Sequence, residues 1–373
     1  MTKLSVFTAA DRTQFLDDCY TSLRYQSIEE WEWVVLLNRG AGPWQPRAID
    51  PRVRIYRGAP SIRCVGAAKA EAVANTSGSI LVELDSDDVL LPDCLERVEG
   101  AFLQHPESSL VYSDWTHVSS TLGPSDLKFD PGAGWKHYWR TFFGQRYLCW
   151  QAMTATPHNV GYIWYAPNHV RAFSRWAYET AGGYDRHIAL LDDQDLMVRL
   201  FPLGTFTQIP ECLYMQRFHN LNLQSIENSA IQVKTVSYYK RHISNLATAW
   251  SERLGLRILL GKQTTPSRSA MEWRATGSPR SAQPNSVGFV QLDISSAVSL
   301  TEDLLQTCWD ALAHGGIVAL RQYTGRPIAT TIDVAPNFQL GYIQERPPSF
   351  NGRKSLLAVL VANKGGARQG GRI

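Results

Sequence analysis

The sequence predicts an α/β chain: a parallel sheet with helices packed against it, then a second, smaller α/β domain. Three observations carry that expectation. Residues 34–37 and 80–84 are short continuous apolar runs, the composition of strands buried on both faces. The stretches beside them carry apolar residues at helical spacing, joined by short connections. Residues 261–285, rich in Ser, Thr, Pro and Gln, read as a linker that divides the chain.

In chain order, residues 4–8 read as the first strand and residues 14–26 as a helix, with Phe15, Cys19 and Leu23 four apart on one face. The run 34–37 is the next strand. A helix over residues 62–76 follows and stops at Ser77 and Gly78, where glycine allows a left-handed cap. Residues 80–84 are another buried strand, so ligands are expected at the carboxyl ends of these strands. The alternation lapses in the aromatic stretch 131–165, resumes with a strand at 170–173 and turns sharply at Gly182-Gly183. Tyr239, Ile243, Leu246, Trp250 and Leu254 then recur at helical spacing.

Beyond the linker come a strand at 287–292, a helix at 301–313, a Gly315-Gly316 turn, a strand at 317–320 and a last strand at 356–361. The expected division is a first domain over residues 1–225, a closing helix over 226–260, the linker 261–285 and a small α/β domain over 286–363. The tail 364–373, rich in Gly and Arg, is expected to be disordered.

With 373 residues, 44% hydrophobic and 19% charged, the chain can bury a large core, which excludes a disordered protein. Its net charge of +3 is too small to argue by itself for nucleic acid or a membrane. Cys19, Cys64, Cys94, Cys149, Cys212 and Cys308 lie far apart, without a CxxC pair or metal-ligand spacing, and a reduced cytosolic compartment is the simpler reading. No apolar stretch approaches the roughly 20 residues needed to cross a bilayer. The first residues lack a secretory signal pattern. A cytoplasmic protein is therefore expected, and a membrane-embedded polysaccharide synthase is disfavoured.

The sharpest chemical signal is Glu83-Leu84-Asp85-Ser86-Asp87-Asp88, where a buried strand ends. Side chains alternate along extended chain, so Asp85 and Asp87 project to one side. Carboxylates crowded this way repel unless protonated or bridged by a cation. Mg²⁺ and Mn²⁺ favour oxygen ligands and are commonly held by one or two carboxylates plus substrate phosphates. The alternative is that these acids cap the next helix. Pro92, best placed in a first helical turn, argues against it by leaving the non-capping Leu91 just before the helix.

Taken with Thr8-Ala9-Ala10-Asp11-Arg12, Ser22-Leu23-Arg24-Tyr25-Gln26, Gly66 to Lys69 and Ser77-Gly78-Ser79-Ile80-Leu81-Val82, this acidic run resembles the family 2 glycosyltransferases. Gly182-Gly183-Tyr184-Asp185, Asp192-Asp193-Gln194-Asp195-Leu196 and Arg217-Phe218-His219 with Asn222 resemble three later motifs of the same family. The resemblance implies a GT-A fold, a Rossmann-like domain that binds a nucleotide sugar. It directs Thr8, Ala9, Asp11, Arg12, Asn38, Lys69, Asp85 and Arg217 toward the donor, with Asp85 near its ribose. Asp87 and His219 are the implied metal contacts, for Mn²⁺ or Mg²⁺. Asp193 is the implied general base, taking the proton of the acceptor hydroxyl in an inverting transfer.

Such a base is typically worth about 10² to 10⁴ in rate. The competing reading of Asp192, Asp193 and Asp195 is an acidic helix start ahead of Leu196 and Leu200. A lone His219 is by itself more often structural, and Arg217 more often a surface ion pair. Lys69 could equally lie on a helix surface.

This sequence departs from the family after its second strand, where Asn38-Arg39-Gly40 stands in place of an acidic pair. Asn offers both donor and acceptor, so it can still read uracil, which favours a UDP-sugar. The aromatic stretch holds Trp135, Tyr138, Trp139, Phe142, Phe143, Tyr147, Trp150, Tyr162, Trp164 and Tyr165. Most are expected in the core, with a few on the acceptor groove, to which Ala166-Pro167-Asn168-His169 also belongs.

Residues 286–363 resemble the second half of a class I methyltransferase without its glycine-rich first turn. A degenerate accessory domain is expected there, for acceptor binding or homodimerisation. The default acceptor is a glycan, free or lipid-linked, and the alternative is a hydroxylated base of bacteriophage DNA. A nucleotidyltransferase is disfavoured because its glycine-rich, basic opening is missing. A non-catalytic carbohydrate or nucleic-acid binding module would not need every acidic motif.

Overall fold

In a computed structural model of the chain the residues described are 4–38, 40–129, 135–161, 167–219, 226–263, 271–273, 278–295, 302–323, 338–346 and 355–362. Expectations for Tyr162, Trp164, Tyr165, Ala166, Asn222 and the tail 364–373 lie outside these residues. The chain divides into two compact units, Met1–Ala155 with Asn159–Tyr238, and Thr156–His158 with Tyr239–Ile373.

The first unit begins β1 (Leu4–Ala10), α1 (Leu16–Arg24), β2 (Trp31–Leu37), β3 (Val53–Arg57), α2 (Val65–Ala74) and β4 (Ile80–Glu83). These four strands are parallel and ordered β3-β2-β1-β4. Every residue of β2 and β4 is buried, as continuous apolar runs in a sheet covered on both faces require. α1 buries Leu16, Cys19, Tyr20 and Leu23, one face of a helix.

Chain order continues with β5 (Val89–Leu90), α3 (Cys94–Gln104), β6 (Ser108–Val118), β7 (Lys136–Phe142), β8 (Gln145–Gln151), α4 (Pro157–Gly161), β9 (Arg171–Ser174), α5 (Arg175–Thr180), α6 (Asp192–Leu200) and β10 (Thr205–Arg217). Among the described residues the sheet runs β3-β2-β1-β4-β9-β6-β10-β5, with the β7/β8 hairpin added on β6. This sheet is GT-A-like, as the resemblance implied, but it is mixed rather than the parallel sheet expected from the apolar runs, because β9 and β5 run antiparallel to their neighbours.

β9 is antiparallel to both β4 and β6, and its register sets Arg171 directly opposite Glu83. α3 starts at Cys94, beyond Pro92, so the acids at 85–88 do not cap it. The described part of the irregular stretch 131–165 is an ordered hairpin. Its β7 and β8 alternate in the strand period that the density of aromatics obscured.

Gly66 opens α2 because nothing larger fits. A Cβ there would stand 2.2 Å from the Asp185 carbonyl oxygen. Its N–H donates to the Ile188 carbonyl at 3.1 Å, clamping α2 to the loop that leads into α6.

α7 (Asn228–Arg253) buries Tyr239, Ile243, Leu246 and Trp250, while Leu254 lies beyond its end and is exposed. The expected closing helix over 226–260 therefore stops early. The expected linker over 261–285 is also corrected, since β11 (Arg257–Gln263) and β12 (Met271–Trp273) are strands of the second sheet. β13 (Val287–Ser295), α8 (Glu302–Ala311), β14 (Leu312–Tyr323), β15 (Phe338–Arg346) and β16 (Ser355–Ala362) complete the second unit.

Its strand order is β12-β11-β13-β14-β16-β15. β11, β13 and β14 are parallel, and β16 is antiparallel to both neighbours. Gly315 and Gly316 lie inside β14 rather than in a turn. Leu259, Val290, Leu305, Cys308, Leu312 and Leu360 form the core of this unit. Among the described residues no helix is long and apolar enough to cross a membrane.

Candidate active site

A cleft of about 620 Å³ opens at the carboxyl ends of β1, β2 and β4, where a parallel sheet leaves room for a ligand. Ala9, Asp11, Arg12, Asn38, Lys69, Asp85, Asp87, Asp193 and His219 line it, and Thr8 and Arg217 do not. Asn38 follows β2, is buried, and its Oδ1 has no hydrogen-bond partner. A buried acceptor without a donor is costly, and this oxygen is packed against Gly58.

The acidic floor is held from below by β10. The Tyr214 hydroxyl donates to Asp88 Oδ2 at 2.8 Å and accepts from the Asp85 N–H at 3.2 Å. The Arg217 N–H donates to Asp88 Oδ1 at 2.7 Å. Burial, then the charges of Asp87 and Asp85, push the Asp88 carboxyl well above the usual carboxylate range. Burial likewise pushes Asp85 up to about 7, with Lys69 pulling down and Glu83 pushing up.

Asp87 faces His219, with Oδ2 and Nε2 2.9 Å apart. Asp85, Asp88 and His169 offer a second set of donor atoms, all within 4.8 Å of one another. Carboxylates and a neutral imidazole are ligands that Mn²⁺ accepts, so either set fits a divalent cation. His169 lies flat on Tyr214, with ring centroids 4.4 Å apart, and its Nδ1 has no hydrogen-bond partner. Burial, then the Arg171 charge, holds this imidazole well below its ordinary value and so neutral.

Behind the floor lies a buried ionic network. Lys69 Nζ sits 2.5 Å from Glu83 Oε1 and 2.9 Å from Asp192 Oδ2. Arg171 grips Glu83 through Nε at 2.8 Å and Nη2 at 3.2 Å, and donates through Nη1 to Asp193 Oδ2 at 2.9 Å. The Tyr184 hydroxyl donates to Glu83 Oε2 at 3.0 Å. Burial pushes Glu83 up, but Arg171 and Lys69 more than offset it and hold the carboxyl well below its ordinary value. Asp193 also accepts the Gln194 N–H at Oδ1, 2.8 Å away, at the start of α6.

Residues 6–164, which supply the floor and the first strands, match the profile of Glycosyl transferase family 2. The match spans residues 6–164, less than half of the chain, and marks those residues as similar to that family. Hyaluronan synthase of Pasteurella multocida is 24% identical over 227 residues, 59% of this chain and 21% of that protein. Chondroitin synthase of Escherichia coli is 23% identical over 210 residues, 56% of this chain and 26% of that protein. The chain thus spans about a fifth to a quarter of the length of these curated relatives. The crystal structure of S. aureus TarS 1-349 in complex with UDP-GlcNAc aligns with a TM-score of 0.46 at 12% identity, covering 68% of this chain and 71% of that one.

Two of the expected donor contacts, Thr8 and Arg217, are taken up by other groups of the protein. The Thr8 hydroxyl is buried, donating to the Leu84 carbonyl at 2.7 Å and accepting from Trp33 Nε1 at 2.9 Å, so it ties β1 to its neighbours. The Arg217 guanidinium is 1% exposed. It donates to the Asp87 carbonyl, the Ser120 carbonyl and Asp18 Oδ2, and lies 4.0 Å over Phe15. It braces the acidic turn, and is neither a phosphate contact nor a surface ion pair. Lys69 lines the cleft, but its charge is matched by Glu83 and Asp192, which excludes the helix-surface reading.

Arg171 was missed in the sequence, although an arginine inside the apolar strand 170–173 is itself a signal of a buried, paired charge. Tyr214 and Asp18 gave no such signal, because nothing in their local sequence points to partners more than 100 residues away. Of the aromatics, Trp135, Tyr147 and Trp150 are buried and Trp139 and Phe143 exposed. Trp135 lines the cleft beside Phe129, with ring centroids 4.6 Å apart, and Asn168 and His169 line it too.

Proposed function

We propose that this chain is an inverting glycosyltransferase that moves a sugar from a nucleoside diphosphate donor, with uracil the favoured base, to a hydroxyl of a glycan. The observation that carries the reading is one cleft lined by the Asp87–His219 pair and by Asp193. Asn38, whose amide carries both a donor and an acceptor for a base such as uracil, lines the cleft with Asp85 and Lys69. The names of two relatives, hyaluronan synthase and chondroitin synthase, support a polysaccharide acceptor.

Asp87 and His219 are the residues proposed to hold Mn²⁺ or Mg²⁺, with Asp85, Asp88 and His169 as the alternative set. A divalent cation there would offset the charge that develops on the diphosphate leaving group. Asp193 takes the acceptor proton as the acceptor oxygen bonds to the anomeric carbon. The bond from that carbon to the diphosphate oxygen breaks on the opposite face, and the configuration inverts. Arg171 keeps one Asp193 oxygen fixed through this step, so the carboxylate does not have to reorient.

The strand order β11-β13-β14-β16-β15, with β16 antiparallel between its neighbours, supports reading the second unit as half of a class I methyltransferase sheet. We read it as an accessory domain without methyl transfer.

A thermal-shift panel of nucleotide sugars with Mn²⁺ tests the donor reading, because a ligand that binds only the folded state raises its stability. UDP-sugars should stabilise the chain more than GDP-sugars. No stabilisation by any nucleotide diphosphate, with either Mn²⁺ or Mg²⁺, would sink it.

A further inference from the structure

The β7/β8 hairpin has two unlike faces. Tyr138, Phe142, Tyr147 and Cys149 pack with Val89, Leu91, Val118, Cys212 and Met215 and are accounted for as core. The alternate positions of β7, beginning with Trp135 just before it, place Trp135, His137, Trp139 and Thr141 on the other face. Across the ladder these meet Trp150, Leu148 and Arg146. The aromatic series starts inside the cleft, since Trp135 lines it and its ring lies 6.4 Å from that of Trp150. It continues through His137, 5.4 Å from Trp150, and ends at Trp139 with Arg146 4.7 Å over its ring.

The outer end is open: Trp139 is 49% exposed and Phe143, at the turn, 73%. Phe143 and Gly144 both take positive φ, 50° and 76°, in a two-residue turn where Asn-Gly is the unstrained choice. A bulky ring in that backbone region is strained and, being exposed, gains no burial in return. Charge on this face comes from Arg146, paired across the ladder with Thr141, and residues 136–151 hold no Asp or Glu; Lys136 and Arg140 alternate onto the opposite face with Tyr138 and Phe142.

We propose that this face of the hairpin holds an acidic polysaccharide, a chain of pyranose rings bearing carboxylates, and leads it toward the cleft. Trp139 gives a ring to stack on, and Arg146 a planar guanidinium that matches a carboxylate with two hydrogen bonds. The proposal rests on the glycosyltransferase reading, because it names the acceptor of that site.

The test is retardation of the full chain in native gels containing polygalacturonate, alginate or hyaluronan, each run beside its carboxyl-reduced form. At least one acidic polymer should retard the wild type, and its neutral form should not. Trp139→Ala and Arg146→Gln should each weaken that affinity by at least about tenfold, the equivalent of about 1.4 kcal/mol. Melting temperature and titration with UDP and Mn²⁺ should be unchanged in both. Both side chains are exposed, and should Trp139→Ala fail to fold, Arg146→Gln decides the matter alone.

No retardation by any of the three, equal retardation by the reduced forms, or variants that bind as wild type does would overturn the proposal. A matching loss of affinity for anionic lipid vesicles or DNA would overturn it too, showing a general anion surface. Polysaccharide binding without UDP binding would count against the donor site and leave this surface standing.

Discussion

Arg171 Nη1 donates to Asp193 Oδ2 across 2.9 Å while Nε and Nη2 of the same guanidinium grip Glu83, so the proposed base is anchored to the last residue of β4. The arginine is 3% exposed and Glu83 1%. Replacing Arg171 by Met keeps the bulk and leaves Glu83 short of a partner in a dry site. Breaking a buried pair in this way typically costs about 3 to 5 kcal/mol. Urea denaturation should show a loss of that order, and a loss below about 1 kcal/mol would mean that water reaches Glu83 after all.

Asp193→Asn tests the base itself. The amide keeps the size of the side chain and one acceptor oxygen, which can serve either Arg171 or the Gln194 N–H, but it has no useful proton affinity. Transfer should fall by at least about 10²-fold, near 2.7 kcal/mol, with nucleotide binding retained. If Asp193 only starts α6, Asn should serve about as well as Asp, and activity within a few-fold of wild type would reject the assignment.

Asp87→Ala tests the metal contact. His219 Nε2 loses its partner at 2.9 Å, and the proposed cation loses an oxygen ligand. UDP binding measured by calorimetry in Mn²⁺ should weaken by at least about tenfold, and the wild type in excess chelator should approach the same value. Full activity in chelator would remove the metal from the reading.

The fourth prediction concerns pH. His117 lies on β6 at the cleft wall, and burial pulls its imidazole down to about 4. An unfolded chain protonates this group near 6.5. Between those values the unfolded state binds the extra proton, so stability is lost as pH falls from 6.5 toward 4. The group contributes about 3 kcal/mol of that loss. Denaturation of wild type and His117→Gln at pH 7.5 and 4.5 should show a shallower decline in the variant, and parallel declines would contradict it.

The sequence by itself determined the parts whose signal is local. The runs 34–37 and 80–84 are apolar without interruption because both faces of those strands are covered, and this is visible with no knowledge of neighbours. The acids at 85, 87 and 193, Asn38 and His219 were singled out because their motifs fall near the ends of strands and helices, and the structure places them along one cleft.

Tertiary structure alone decided how the remaining charges are used. Thr8 and Arg217 were expected at the donor, but residues distant in sequence, Trp33, Leu84, Asp18 and Ser120, take up their hydrogen-bonding groups. Arg171 meets Glu83 only because β9 runs antiparallel to β4 in one register, and a shift of one residue would turn the guanidinium to the other face of the sheet. The β7/β8 hairpin was hidden for a related reason: aromatics occupy both of its faces, so hydrophobicity shows no period of two until packing separates core from surface.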